Sequence, residues 1–172
     1  NLSASIFNET ANKINLNGTL KSKNNEVVLS GNYLINSKNN VDINLIINKL
    51  SAETIAAFSF GELRKAKGNI VGKLDINGSF AKPLVNGNLA FEKVAFDVIS
   101  LGGRYLIDHQ NLLFDAETIR LNQFAINDTL NQKLLVNGII SHQNFPDFNY
   151  DLSVKTNNFL LLDSHRNDND II

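Results

Sequence analysis

The stretch Gly68-Asn-Ile-Val-Gly72-Lys-Leu-Asp-Ile-Asn-Gly78-Ser-Phe-Ala-Lys-Pro83-Leu-Val-Asn-Gly87-Asn-Leu-Ala-Phe91 alternates almost without fault. Ile70, Leu74 and Ile76 share one parity with Gly72 and Gly78, while Val71, Lys73, Asp75 and Asn77 take the other. A strand here has one apolar face and one mostly wet face. The run breaks between Gly78 and Pro83 and then restarts, with Val85, Gly87, Leu89 and Phe91 set against Asn86, Asn88, Ala90 and Glu92. The two halves predict a β-hairpin with an apolar inner face. The recurring glycines permit bulging, strong twist or the close approach of a neighbouring chain.

The same alternation extends in both directions. Ala4 to Phe7, Lys13 to Leu20 and Glu26 to Asn36 are predicted strands, the last with Val27, Leu29, Gly31, Tyr33 and Ile35 on one parity. Asn24-Asn25 and Ser37 to Asn40 supply turns, and Val41, Ile43, Leu45 and Ile47 give a further strand. At Ser51 the period changes. A capping serine followed by Glu53 predicts a short helix from Ala52 to Phe60, with Ile55, Phe58 and the alanines over the apolar face, either as a plug or as ordinary core.

Beyond the hairpin, Val94 to Val98 and Gly103 to Asp108 are predicted strands, and Leu112 to Asp115 pairs back across His109-Gln-Asn111. Ile119 to Leu121, Phe124 to Asn127 and Lys133 to Ser141 follow, the last two joined by a turn at Asp128-Thr-Leu-Asn131. Phe148, Tyr150, Leu152 and Val154 then alternate with Asn149, Asp151, Ser153 and Lys155, and Phe159 to Leu162 is a closing strand or edge element. Short sequential strands with frequent turns argue an all-β meander with one short helix. Pattern alone leaves a closed barrel, a sandwich and an open curved sheet all standing.

The chain of 172 residues is 43% hydrophobic and 19% charged, with a net charge of −1. It has the length of one domain or of a piece of a larger one. Its charge balance carries no footprint for nucleic acid or an anionic membrane. There is no cysteine, hence no disulfide or thiolate metal site. No run approaches the roughly 18 apolar residues of a membrane span, and no signal peptide opens the stretch. The start inside a strand-like pattern and the polar run Asp163-Ser-His-Arg-Asn-Asp-Asn-Asp read as a fragment with a polar tail. Asn-x-Ser/Thr occurs at Asn1, Asn8, Asn17, Asn77 and Asn127, but the 28 asparagines make such matches common by chance and no glycosylation is inferred.

Catalytic chemistry is not legible. His109, His142 and His165 lack metal-ligand spacing and read as satisfied surface residues, His142 with a turn-bracing hydrogen bond. Asp115 and Glu117 could share a strand face, which is common on wet faces and implies no acid/base role. No nucleophile elbow, phosphate loop or dinucleotide fingerprint is present, and Gly102-Gly103 reads as a turn. The expectation is a non-enzymatic chain without metal or cofactor.

The wording G-x-[IL]-x-G-x-[IL]-x-[IV]-x-G-[ST], followed by P-x-[IV]-x-G-x-[IL], resembles the C-terminal domain of the TamB family, among the AsmA-like bridge proteins of Gram-negative envelopes. The resemblance continues through Leu101-Gly-Gly103-Arg-Tyr105-Leu-Ile107, Asp128-Thr-Leu-Asn131, Gly138-Ile-Ile-Ser-His142-Gln-Asn-Phe145 and Phe148-Asn-Tyr150-Asp-Leu152. It implies residues 68–163 as a TamB-like β-domain, preceded by strand repeats over 1–50 and a helix and connector over 51–67, and followed by a polar tail over 164–172. It also implies a strongly curved open sheet, folded like a taco or half-barrel around a hydrophobic groove on the order of 45 Å long.

On this reading the groove is lined by Ile70, Leu74, Ile76, Val85, Leu89, Phe91, Phe148, Tyr150, Leu152 and Val154, with Lys73, Asp75, Asp151 and Lys155 outside. The implied partners are phospholipid acyl chains, an Omp85-type outer-membrane barrel, and the inner membrane through an anchor outside this stretch. The implied setting is the periplasm. The function is phospholipid transport between inner and outer membranes. The alternatives are assembly of outer-membrane or autotransporter proteins through strand-edge contacts, and a structural β-domain without cargo. A charge at Leu89 or Val154 is expected to stop cargo passage while leaving the fold intact.

Overall fold

The structure, a computed structural model, describes residues 1–144 and 147–161. Four hairpin-connected strands open the chain: β1 (Leu2–Thr10), β2 (Lys13–Lys21), β3 (Asn25–Leu34) and β4 (Val41–Ser51). After the helix α1 (Ala52–Ala56) come the two longest strands, β5 (Leu63–Gly78) and β6 (Pro83–Val98). A single 3-10 turn at Ile99–Leu101 leads into β7 (Gly103–Ile107), β8 (Gln110–Asp115), β9 (Thr118–Asn127), β10 (Lys133–Asn144) and β11 (Asp147–Thr156). All eleven form one antiparallel meander that does not close, so β1 and β11 are its two edges.

Every neighbour in the order is a sequence neighbour except at one place. There β7 and β8 occupy the same position in succession, each between β6 and β9: Val94–Val98 of β6 pairs with β7, and Gly87–Phe91 pairs with β8. The sequence reading made β7 and β8 a hairpin, and the structure corrects this. Asp108 and His109 do not reverse the chain. They form a kink in a single line of travel, with His109 at φ 52 and the Asp108 carboxylate accepting from Lys93 N at 2.7 Å.

That kink belongs to a line of bulges that bends the sheet. Lys93 in β6 and Gln123 in β9 also take left-handed φ, of 50 and 52. Pairing slips nearby, between Lys67 and Asn69 in β5 and between Val136 and Gly138 in β10. Side chains fill the resulting gaps in the ladder: Asn137 Oδ1 accepts from Gln123 N at 2.7 Å, and Gln110 Oε1 accepts from Ala125 N at 2.8 Å. Bulged strands bend and twist more strongly than regular ones. The line therefore separates a tightly covered end of the sheet from an open one.

At the covered end Ala66, Ile70, Val94, Ile107, Phe124 and Val136 form the buried cluster with Ala52 of α1, and Phe91 meets Phe124 edge to face at 5.5 Å. The helix is shorter than its predicted extent to Phe60. Ser51 caps it, accepting from Glu53 N at 3.1 Å. The Ser59 hydroxyl then donates to Ala56 O and accepts from Leu63 N, which ends the helical run and starts β5. Ala52 and Ala56 face the core, whereas Ile55 and Phe58 point outward, so the covering side of α1 is its alanines and not its large apolar residues.

The segment after β11 completes this end. Phe159 stacks on Tyr105 at 5.6 Å, the Tyr105 hydroxyl donates to Leu161 O at 2.7 Å, and Leu160 N donates to Asp128 Oδ2 at 2.9 Å. Residues 157–161 thus cross the apolar face as an irregular strap, where a closing strand or edge element was expected over Phe159 to Leu162; Leu162 and the polar tail lie outside the described residues. Asp128, 3% exposed, also accepts from Leu130 N and Gln132 N.

Burial pushes the Asp128 carboxyl upward, but the three backbone donors outweigh it and hold the carboxyl below its ordinary range. Its contribution to stability is present above the unfolded value of about 3.9 and is lost as pH falls through the lower folded value. Asp128→Asn is therefore expected to lower the melting temperature at neutral pH. The gap from wild type should shrink once pH drops below about 4. A gap that stayed constant across that window would show that ionisation of Asp128 does not hold the strap.

Candidate functional site: the apolar face and its open end

The pairing register lines up one row of side chains from edge to edge. Ala4, Gly18, Leu29, Leu45, Leu74, Gly87, Phe114, Ile119, Ile140 and Tyr150 stand opposite one another in turn, and each is apolar, aromatic or glycine. A parallel row runs Ile6, Leu16, Gly31, Ile43, Ile76 and Val85. Between these two rows, on the other face, lies Ser5, Asn17, Ser30, Asn44, Asp75 and Asn86, polar throughout. Asn44 Nδ2 donates to Asp75, and Lys73 lies 3.6 Å from the same carboxylate. These polar groups of the wet face are satisfied laterally, whereas the two apolar rows carry a single polar group, the Tyr150 hydroxyl.

The sequence-derived residues fall into two groups. Ile70 pairs with Phe91, Gly72 with Leu89, Leu74 with Gly87 and Ile76 with Val85, so the six residues of β5 and β6 share the face of the buried cluster. Ile70 and Leu74 are buried; Ile76, Val85, Leu89 and Phe91 are half-buried. On β11, Val154 opposes Val136, Leu152 opposes Gly138, Tyr150 opposes Ile140 and Phe148 opposes His142, which sets these four on the same face. They lie on the free edge and are exposed, Tyr150 at 68% and Val154 at 56%. Lys73 is exposed on the opposite face. Asp151 and Lys155 alternate with the apolar residues of β11.

Sequence reasoning did not single out Leu16, Leu29, Ile43 and Leu45 as site residues, although the same parity places them. It missed the cluster residues Val94, Ile107, Phe124 and Val136 because the bulges shift parity within a strand. Among the described residues no large side chain is less than 2% exposed. A closed barrel of this size would seal several. The face is therefore a core at one end and an open apolar trough at the other.

Two polar expectations change. His142 is buried on the apolar face, its ring edge-on to Phe148 at 6.1 Å and its Nδ1 without a partner, and it is not a satisfied surface histidine. Glu117 lies in the turn after β8 while Asp115 ends that strand and pairs with Arg120 at 3.0 Å, so the two carboxylates do not share a strand face. His109 is exposed beside Asp108, and His165 lies outside the described residues. No group of three or more His, Asp or Glu side chains among the described residues is placed to hold a metal. No described helix is long and apolar enough to cross a membrane. No protein family, curated protein or solved structure matches the chain.

Proposed function

We propose that this chain is a non-catalytic segment of a TamB-like envelope protein whose apolar trough carries phospholipid acyl chains between the inner and outer membranes. The observation that carries the reading is the unbroken apolar row from Ala4 to Tyr150, exposed at both ends, half-buried over most of its length and backed by polar side chains from β1 to β6. Ten strand positions at about 4.8 Å give a trough on the order of 45 Å, three times the roughly 15 Å of one leaflet's acyl region. A tail half sheltered there gains about 0.8 kcal/mol per buried methylene, enough over several methylenes to leave water without being trapped. The inner-membrane anchor and the Omp85-type barrel partner belong to this proposal, as does the periplasmic setting.

Native mass spectrometry of the purified chain tests it directly. Co-purified phospholipid that is lost in a trough variant is the expected result; a lipid-free spectrum at every protein concentration counts against it. The second reading, strand-edge recruitment of an outer-membrane protein or barrel partner, rests on the two open edges, where β1 and β11 each have one unpaired side. Proline substitutions in β1 or β11 that abolish function with lipid occupancy unchanged would favour it.

A further inference from the structure

The ten residues of β11 are all exposed, and the strap that follows turns over the apolar face after Thr156, where Leu160 N binds Asp128. The strap over 157–161 therefore leaves the outer edge of β11 clear. At the two ends of β10, Asp128 N donates to Gln132 O at 3.0 Å and His142 N donates to Glu117 O at 2.9 Å. Even-numbered positions there bond toward β9 and odd-numbered ones toward β11, so Leu135 with Lys155, Asn137 with Ser153 and Ile139 with Asp151 are the bonded pairs. The N–H and C=O groups of Tyr150, Leu152, Val154 and Thr156 then point away from the sheet, along a stretch whose pairing with β10 has no slip.

A proline, a bulge or a charge on the apolar face would protect such an edge, and this stretch has none of them. Its two charges, Asp151 and Lys155, stand on the wet face, and neither has an ion partner among the described residues. The opposite edge of the sheet differs. Glu9, the one charged residue of β1, is already bound to Lys13 at 2.8 Å and to Asn15 at 3.0 Å.

We infer that two copies of this chain pair edge to edge through β11, antiparallel about a two-fold axis at Ser153. In this register Asp151 faces Lys155 of the second copy, and the symmetry makes the pair twice. On the apolar face Leu152 meets Val154, and Tyr150 meets Thr156. The outward backbone groups require even positions to face even ones. A slide of two residues sets both charges against Ser153 and an asparagine, and a slide of four sets Asp151 against Asp151 or Lys155 against Lys155. The charge pattern of β11 is thus complementary to itself at one register, and β1 offers it no unpaired charge. Leu152 and Val154 both belong to the apolar face, so the two faces lie on the same side of one continuous sheet. The inference stands on the edge and its charges, whatever the trough carries.

Sedimentation of the purified chain from micromolar to millimolar concentration tests it, and a dimer is the expected result. Asp151→Lys alone and Lys155→Asp alone each oppose like charges at both pairs and should weaken the dimer by about tenfold or more. Mixing the two variants, or placing both changes in one chain, should restore it. Both sites are exposed, so the circular dichroism spectrum should not change. Cross-linking checks the register without altering charge, in a chain that has no cysteine. Ser153→Cys should form an intermolecular disulfide under air with copper phenanthroline, because opposed Cα atoms of such a pair lie about 4.5 Å apart. Asn149→Cys, on the same face but about 26 Å from its counterpart, should not. A wild type that stays monomeric throughout overturns the inference, as does a dimer indifferent to both single reversals or one that cross-links equally at 149 and 153. Lipid bound to a chain that never dimerises refutes the pairing and leaves the transport reading standing.

Discussion

Gly87→Ala is expected to abolish cooperative folding of the chain. Gly87 has φ 136, and a Cβ built there lies 2.0 Å from Lys73 O of the neighbouring strand. The backbone has no direction in which to yield, because Gly87 is paired with Leu74 on one side and Phe114 on the other, in the middle of the sheet. A clash with a backbone carbonyl in a doubly paired strand, added to a φ that L-residues avoid, costs more than about 4 kcal/mol, at the extreme of single substitutions. Total stabilities run to only about 5–15 kcal/mol.

Gly61→Ala is the control. Its φ of 88 is also left-handed, but nothing lies within 4 Å of the added Cβ, so only the conformational strain of about 1 kcal/mol applies. Urea titration followed by circular dichroism separates the two. A Gly87→Ala chain with a midpoint near that of Gly61→Ala would mean that the register between β5 and β6 is wrong.

The second large effect follows from the proposed lipid reading and is on cargo and not on folding. Val154→Asp should empty the trough of lipid while leaving the melting temperature within a few degrees of wild type. Val154 is 56% exposed on the open edge strand, so the carboxylate introduced there reaches water without leaving the apolar face, and the fold loses little. Each methylene passing that point meets a hydrated charge, and a barrier of a few kcal/mol slows passage by orders of magnitude.

Leu89→Arg is not equivalent, although sequence parity places both residues on one face. Leu89 packs against the buried cluster at the covered end, so the arginine should cost about 2–4 kcal/mol of stability in addition to any effect on lipid. Native mass spectrometry beside a thermal melt distinguishes them. A Val154→Asp chain that unfolds would point to a sealed core, and one that stays folded with its lipid retained would favour protein recruitment at the strand edge.

The class of fold was legible because antiparallel pairing preserves parity across a sheet. Once Ile70, Leu74 and Ile76 are read as one face, each hairpin places the next apolar residue opposite the last, and the row from Ala4 to Tyr150 follows strand by strand. Where a residue is inserted, that inheritance fails. The slips near Gly68, Lys93 and Gln123 carry no pattern beyond a lost beat, and β7 and β8, two separate alternating runs, read equally well as a hairpin or as one kinked line. The choice is made by β6 and β9, which flank both.

Local sequence thus determined the alternation, the turns other than the one expected at His109-Gln-Asn111, the helix start at Ser51 and the identity of the apolar face. Tertiary structure decided which part of that face is covered. The Asp128 carboxylate, an ordinary turn residue in sequence, gains its second role only when Leu160, far along the chain, is brought to it. The alanines of α1 face the core while Phe58 and Phe60 are turned away, because Ser59 diverts the backbone before another helical turn could bury them. Parity is a property of neighbours in the chain. Coverage depends on contacts between residues distant in sequence, which the bulges and the strap bring about and which no local periodicity encodes.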